Sequence, residues 1–125
     1  MQYSKAHLYF EMKDFNKSLE HIIKVKADNF MFKHQTYKLT VENYYEVNEI
    51  EPLYYSMDNF KYYITKGNLR EDWAKYYENY LASVKELVKL KEGKEKDTFK
   101  IDKLLKEATG DMSWVISKLK ELNIK

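Results

Sequence analysis

The sequence contains no cysteine, one proline and three glycines among its 125 residues. The lack of cysteine excludes a disulfide framework and thiolate chemistry, and it is typical of a chain in a reducing compartment. So little proline and glycine argues against disorder, and against a many-stranded β-protein, which needs frequent turns. These absences favour a chain built from helices.

Long apolar runs and a dominant charge are also missing. No apolar run approaches the roughly 18 residues that cross a bilayer, and the first residues, MQYSKAHLYFEMK, lack the apolar core of a signal peptide. The 22 basic and 20 acidic side chains give a net charge of +2, which provides no electrostatic reason to bind nucleic acid or anionic lipid. We therefore expect a cytoplasmic protein that does not bind a membrane.

The residue patterns of common catalytic and metal sites are absent as well. His7, His21 and His34 are never four residues apart, and none follows a glutamate by three residues. This spacing excludes the two-histidine zinc pattern and the carboxylate-bundle pattern. The glycines are too far apart to form a phosphate-binding loop. We expect polar histidines at the surface or in a groove, no metal, no cofactor and no enzymatic activity.

What the chain does have is apolar and aromatic side chains at helical spacing. The stretch from Tyr37 to Thr65 predicts two helices joined by a junction short enough to require an antiparallel hairpin. Asn48 is expected to cap the second helix together with Glu51, and Pro52 fits its first turn, where a missing N–H is tolerated. The two apolar stripes contain Tyr37, Val41, Tyr44 and Tyr45, then Leu53, Met57, Phe60 and Ile64.

A second copy of this hairpin pattern lies upstream, with Asp14 as the expected cap between its helices. Matching residues of the two copies are separated by a constant 35 positions. A helix-turn-helix unit of about 34 residues is the period of tetratricopeptide repeats. The matched pairs are Ala6 with Val41, Tyr9 with Tyr44, Phe15 with Ile50 and Ser18 with Leu53.

These pairs resemble the tetratricopeptide family at the positions of its motif. In order, the positions are a small residue in the first helix, an aromatic three residues later, a large apolar residue that opens the second helix, and a small residue three positions after it. Trp73 and Tyr80 are similar to the aromatic positions of a third unit. The resemblance implies an all-α, right-handed array of antiparallel helix pairs with about seven helices. It divides a single domain, 1–125, into units at 1–29, 30–67 and 68–108 and a capping helix at 111–123.

In that family the first helix of each pair lines a concave surface, so the resemblance implies a non-catalytic scaffold that binds a peptide or protein segment there. Glu42 and Glu46 would repel an acidic C-terminal tail, although both are otherwise expected to be solvated beside Lys38. The groove residues implied by the resemblance are His7, Phe10, Glu11, Lys38, Glu42, Tyr45, Glu46 and Glu78.

Four tyrosine doublets bear on the same question. Adjacent helical residues point about 100° apart, so one member of each doublet is expected to be partly exposed. Exposed tyrosines could lie at the wet margin of a core or anchor a partner in a groove. The doublets are Tyr44–Tyr45, Tyr54–Tyr55, Tyr62–Tyr63 and Tyr76–Tyr77.

An enzyme built on a helical scaffold is a competing function, and it would require clustered polar groups in one pocket. Two further functions remain open from the sequence. The chain could be a structural module that stacks on further repeats or on copies of itself. Alternatively, the C-terminal helix pair could read DNA with its last helix. The second alternative is disfavoured because Lys118 and Lys120 are too few for a phosphate-contacting face, and the apolar stripe of that helix is needed for a core.

Overall fold

The computed structural model describes residues 2–25, 33–67, 70–93, 102–103, 106 and 113–124, and its regular structure there is entirely α-helical. This confirms the predicted all-α class. Most of the stretch 94–112 lies outside the described residues, so the expected count of about seven helices stays a prediction. The six helices with described bounds are α1 (Gln2–Glu11), α2 (Phe15–Ile23), α3 (Lys33–Glu46), α4 (Ile50–Lys66), α5 (Glu71–Glu92) and α6 (Ser113–Ile124).

The chain forms two compact units, Met1–Tyr63 and Ile64–Lys125. The three repeat boundaries expected from the sequence stay a prediction. Within the described residues, none of the helices combines the length and the apolar character that crossing a membrane requires.

Helix α1 ends in a turn whose central residue has a left-handed backbone. Lys13 has a φ of 64°, and its N–H donates to the Phe10 carbonyl at 2.9 Å. The N–H of Asp14 donates to the Tyr9 carbonyl at 2.8 Å. This pair of bonds is the Schellman motif, which satisfies carbonyls that the helix end leaves open. As predicted, Asp14 then caps α2, accepting the Lys17 N–H at 3.3 Å.

The same turn recurs 35 residues later, at the end of α3. Asn48 has a φ of 62°, and its N–H donates to the Tyr45 carbonyl at 3.2 Å. The N–H of Glu49 donates to the Tyr44 carbonyl at 3.1 Å. The prediction that Asn48 caps α4 was therefore wrong. Asparagine also tolerates the left-handed backbone that ends a helix, and it has that role here.

Helices α1, α2 and α3 pack around a shared apolar cluster in the first unit. Ala6, Ile22 and Leu39 contribute one residue from each helix, and all are at most 4% exposed. The cluster therefore joins the first helix pair to α3, which is the first helix of the second pair. Partly buried side chains surround it, namely Tyr3, Phe10, Leu19 and Val25.

A buried polar chain joins the same three helices. The Ser18 hydroxyl in α2 donates to the Ala6 carbonyl in α1 at 2.7 Å. The Asn43 side-chain amide in α3 donates to Ser18 Oγ at 2.9 Å and to the Leu39 carbonyl at 3.1 Å. Ser18 and Asn43 are both fully buried. Because buried polar groups are costly without partners, these bonds fix how α3 sits on α1 and α2.

In the second unit, α5 contacts α6. Val115 and Leu119, one turn apart on α6, are each 1% exposed. Such spacing places both on one buried stripe of the helix. The buried residues of α5 follow a similar stripe and are Tyr77, Tyr80, Leu81, Val84, Leu87 and Val88.

Candidate functional site

On α1, the predicted groove residues have two different environments. His7 and Glu11 are exposed and one turn apart, with His7 Nε2 3.8 Å from Glu11 Oε1. Phe10 instead packs against the core cluster and meets the edge of Phe15, with ring centroids 5.3 Å apart. Only the two polar residues therefore present most of their side chain to a partner.

On α3, the predicted groove residues are less accessible. Tyr45 is 4% exposed and Glu42 is 6% exposed, whereas Lys38 and Glu46 are half-buried. The expectation that Glu42 is solvated was wrong. Helix α3 is buried around most of its circumference, because Leu39 and Asn43 pack against α1 and α2 while Tyr37 stacks on Phe60 of α4.

The buried Glu42 carboxylate affects a side chain on another helix. Burial raises the pKa of the Tyr3 hydroxyl, and the negative charge of Glu42 raises it further, since both effects oppose ionisation of a phenol. Glu42 is therefore part of the interior of the first unit and acts electrostatically on α1.

The last predicted groove residue, Glu78, is exposed on α5 in the second unit. The tyrosine doublets mostly follow the prediction: one member is buried and the other more exposed in three of the four. In the Tyr54–Tyr55 doublet both members are exposed, at 38% and 70%. Tyr62 is also 69% exposed, while its neighbour Tyr63 is buried.

Sequence reasoning missed an aromatic cluster between α3 and α4. Tyr37 stacks on Phe60 and on Tyr63, with centroid distances of 5.1 Å in both cases. His34 lies 5.5 Å from the Tyr63 ring, and Lys33 Nζ lies 4.6 Å above it. Contacts between the start of α3 and the end of α4 show that these helices are antiparallel. The i, i+3, i+4 spacing of Lys33, Thr36 and Tyr37 could have indicated this face.

His34 corrects another expectation, because it is 8% exposed and is not a surface residue. Helix α3 begins at Lys33, one turn before the first residue of the predicted stripe, and this extra turn packs on Tyr63. Burial lowers the pKa of His34, and the adjacent Lys33 charge lowers it further. Burial has the opposite effect on Tyr63, whose charged form is the anion: it raises the pKa of the Tyr63 hydroxyl, and Tyr37 raises it further.

A pocket of about 210 Å³ opens beside this cluster in the first unit. Its polar groups include two hydroxyls that already donate to their own helices. Thr40 Oγ1 donates to the Thr36 carbonyl at 2.7 Å, and Ser56 Oγ donates to the Pro52 carbonyl at 2.9 Å. The described lining residues are Val25, Lys33, Thr36, Tyr37, Thr40, Ser56 and Asn59.

The last helix, α6, has little free basic surface. Lys118 Nζ lies 2.9 Å from Glu121 Oε2, and the Lys118 side chain is only 16% exposed. Lys120 is exposed. An ion-paired and largely covered lysine is a poor phosphate contact, so this arrangement gives no support to DNA reading by α6.

In the part of the chain that the structure describes, no three histidine, aspartate or glutamate side chains come together as a metal ion would require. Comparison with protein-family models, with curated proteins and with solved structures finds no match to the chain.

Proposed function

We propose that this protein is a non-catalytic interaction scaffold, a tetratricopeptide-like array of antiparallel helix pairs that holds a peptide or protein segment. The partner lies along the first helices of the pairs, α1 and α3, where charged side chains orient it. Phe10, Glu42 and Tyr45 form the support beneath this surface, since they are wholly or partly buried.

The observation that carries the proposal is the recurrence of the hairpin. Helices α1 and α3 end 35 residues apart, as do the starts of α2 and α4. The left-handed residues Lys13 and Asn48 are also 35 residues apart, and the hydrogen bonds of the two turns join equivalent positions. Repeated helix pairs that bury a continuous core create extended surfaces, which such proteins use for binding.

The surface charges of α1 and α3 determine which charge pattern a bound segment should have. His7 and Glu11 on α1 are exposed, and Lys38 and Glu46 on α3 are half-buried. These charges are of both signs, so a segment with alternating charges complements them better than a uniformly acidic or basic one.

The test is a charge exchange on the first helices. A Glu11→Lys, Lys38→Glu double variant keeps the net charge but reverses both signs, and peptides selected by the wild type from a random display library should bind it about tenfold more weakly, or about 1.4 kcal/mol. The matched control is Asp58→Lys, Lys61→Glu on α4, where both residues are exposed. If the selected peptides bound the wild type and both variants equally, and circular dichroism showed unchanged helix content, the proposed surface would be refuted.

Self-association is a second candidate, favoured by one observation. Leu8 on α1 and Met12 directly after α1 are 58% and 63% exposed, whereas Asn43, 35 residues after Leu8, is fully buried against Ser18. A helix pair from a second copy could cover α1 as α2 covers α3. Sedimentation velocity across concentrations should then show a dimer that Leu8→Gln abolishes and that Ile23→Gln, at an even more exposed position on α2, does not. A monomer at every concentration would exclude this candidate.

A further inference from the structure

The pocket between α3 and α4 is separate from the charged surface proposed above. Its side chains at 33, 36, 37 and 40 follow i, i+3, i+4, i+7 spacing on one face of α3, and those at 56 and 59 lie one turn apart on α4. At about 210 Å³ it exceeds the roughly 150 Å³ that admits benzene and falls below the roughly 300 Å³ typical of drug-sized ligands. Its size therefore suits one ring or one branched chain.

One side of the pocket is apolar and firmly held. Tyr37 lines it, and the same ring is stacked on both Phe60 and Tyr63. Val25 adds an aliphatic wall. Close packing of this kind leaves the Tyr37 ring little freedom to move, so an apolar ligand would meet a preformed surface and lose little binding energy to ordering it.

The polar groups of the pocket favour an anion. Lys33 is the charged residue among the described lining residues, and no carboxylate accompanies it there. Thr36 Oγ1 is buried without a hydrogen-bond partner among the described residues, one turn from Lys33. An unmet buried hydroxyl is unfavourable, and a ligand oxygen that accepted its hydrogen bond would remove this cost. The hydroxyl protons of Thr40 and Ser56 are already donated to backbone carbonyls.

From these features we infer that the pocket binds a small carboxylic acid whose body is a single ring or a branched chain. The apolar body lies against Tyr37 and Val25, and the carboxylate lies between the Lys33 ammonium group and the Thr36 hydroxyl. Binding at this site does not require the partner surface on α1 and α3, so the two proposals can fail separately.

Phenylacetate is a suitable probe, because it joins one ring to one carboxylate. Titration followed by protein NMR should shift resonances of the pocket residues, with a Kd on the order of 1 mM for so small a ligand. Phenylacetamide, which has the same shape without the charge, should bind at least about tenfold more weakly. Equal affinity for the acid and the amide, or shifts that lie elsewhere in the chain, would overturn the inference.

Variants of Lys33 provide the second arm of the test. Lys33→Met keeps an unbranched side chain of similar length without the charge and should reduce phenylacetate affinity at least about tenfold. Lys33→Arg keeps the charge and should retain the affinity. Lys17→Met is the matched control, since Lys17 Nζ lies over the Tyr9 ring at 5.5 Å and does not line the pocket. Unchanged binding by Lys33→Met, or equal loss in Lys17→Met, would also refute the assignment.

The same chemistry occurs at the carboxyl end of a peptide. N-acetyl-glycyl-phenylalanine, as a free acid, carries a ring and a carboxylate on a longer body. Tighter binding of this peptide than of phenylacetate would identify peptide ends as the source of the ligand, and exclusion of the peptide would identify free acids.

Discussion

The two helix pairs of the first unit have the same turn but different interiors. Both first helices end in a Schellman motif around a left-handed residue, Lys13 or Asn48. Between the helices, however, the first pair places Ala6 beside Ser18, while the second has Val41 and Leu53 at the matching positions. All four of these residues are fully buried.

The difference shows that the geometry of each hairpin depends on the backbone conformation of its turn. The stability of each pair depends instead on the side chains buried between its two helices. The small residues of the first pair make room for a hydrogen bond from Ser18 to the α1 backbone and for the Asn43 amide of α3. The second pair gains apolar burial there, and its larger aromatic residues pack at the open end of the hairpin.

The largest effect is expected from truncating the second interior. Leu53→Ala should lower the free energy of unfolding by about 2–5 kcal/mol, because it removes a fully buried side chain and leaves a cavity. Ser18→Ala at the matching position should cost about 1–3 kcal/mol through lost hydrogen bonds. Urea denaturation measures both. Equal losses, or a larger loss for Ser18→Ala, would contradict the contrast between the interiors.

A smaller effect, of opposite sign, is expected at the two turns. Lys13→Gly should stabilise the chain by up to about 1 kcal/mol, because glycine adopts a φ of 64° without the steric cost that lysine has there. Asn48→Gly should change stability by only a few tenths of a kcal/mol, since asparagine already tolerates this backbone. Thermal unfolding of both variants, with Lys13→Ala as control, would separate them. If Lys13→Gly and Asn48→Gly raised the stability by similar amounts, lysine and asparagine would have the same steric cost in the two turns, contrary to the prediction.

The smallest expected effect is the change in stability with pH, because it depends on one buried side chain, His34 of the second pair. Burial and the neighbouring Lys33 hold the pKa of His34 below its ordinary value, so the unfolded chain binds a proton more readily than the folded one. His34 therefore contributes stability that is full above about pH 6.5 and is lost as the pH falls below that value.

This dependence can be measured by repeating urea denaturation between neutral and mildly acidic pH. His34→Gln should reduce the loss of stability on acidification, because the buried imidazole is then replaced by a side chain that does not titrate. If His34→Gln retained the full pH dependence, other groups would have to account for it.

Particular residues show how far the sequence could lead. The spacing of Tyr37, Val41 and Tyr44 predicted a helix, and Asp14 was recognised as a cap because its side chain needs only a nearby N–H. Asn48 was assigned to the wrong helix, since asparagine suits both the start of a helix and the left-handed residue after one. The burial of Glu42 and His34 could not be predicted, because helical spacing indicates a single apolar face and α3 is covered on several sides.

The sequence by itself determined the helical class and the 35-residue spacing of the hairpins, because side-chain periodicity and turn chemistry are local properties of the chain. Only the tertiary structure decided which polar residues are buried, how Ser18 and Asn43 join three helices, and where a pocket opens beside Tyr37. These features depend on which helix faces meet, and distant residues in the chain determine that together.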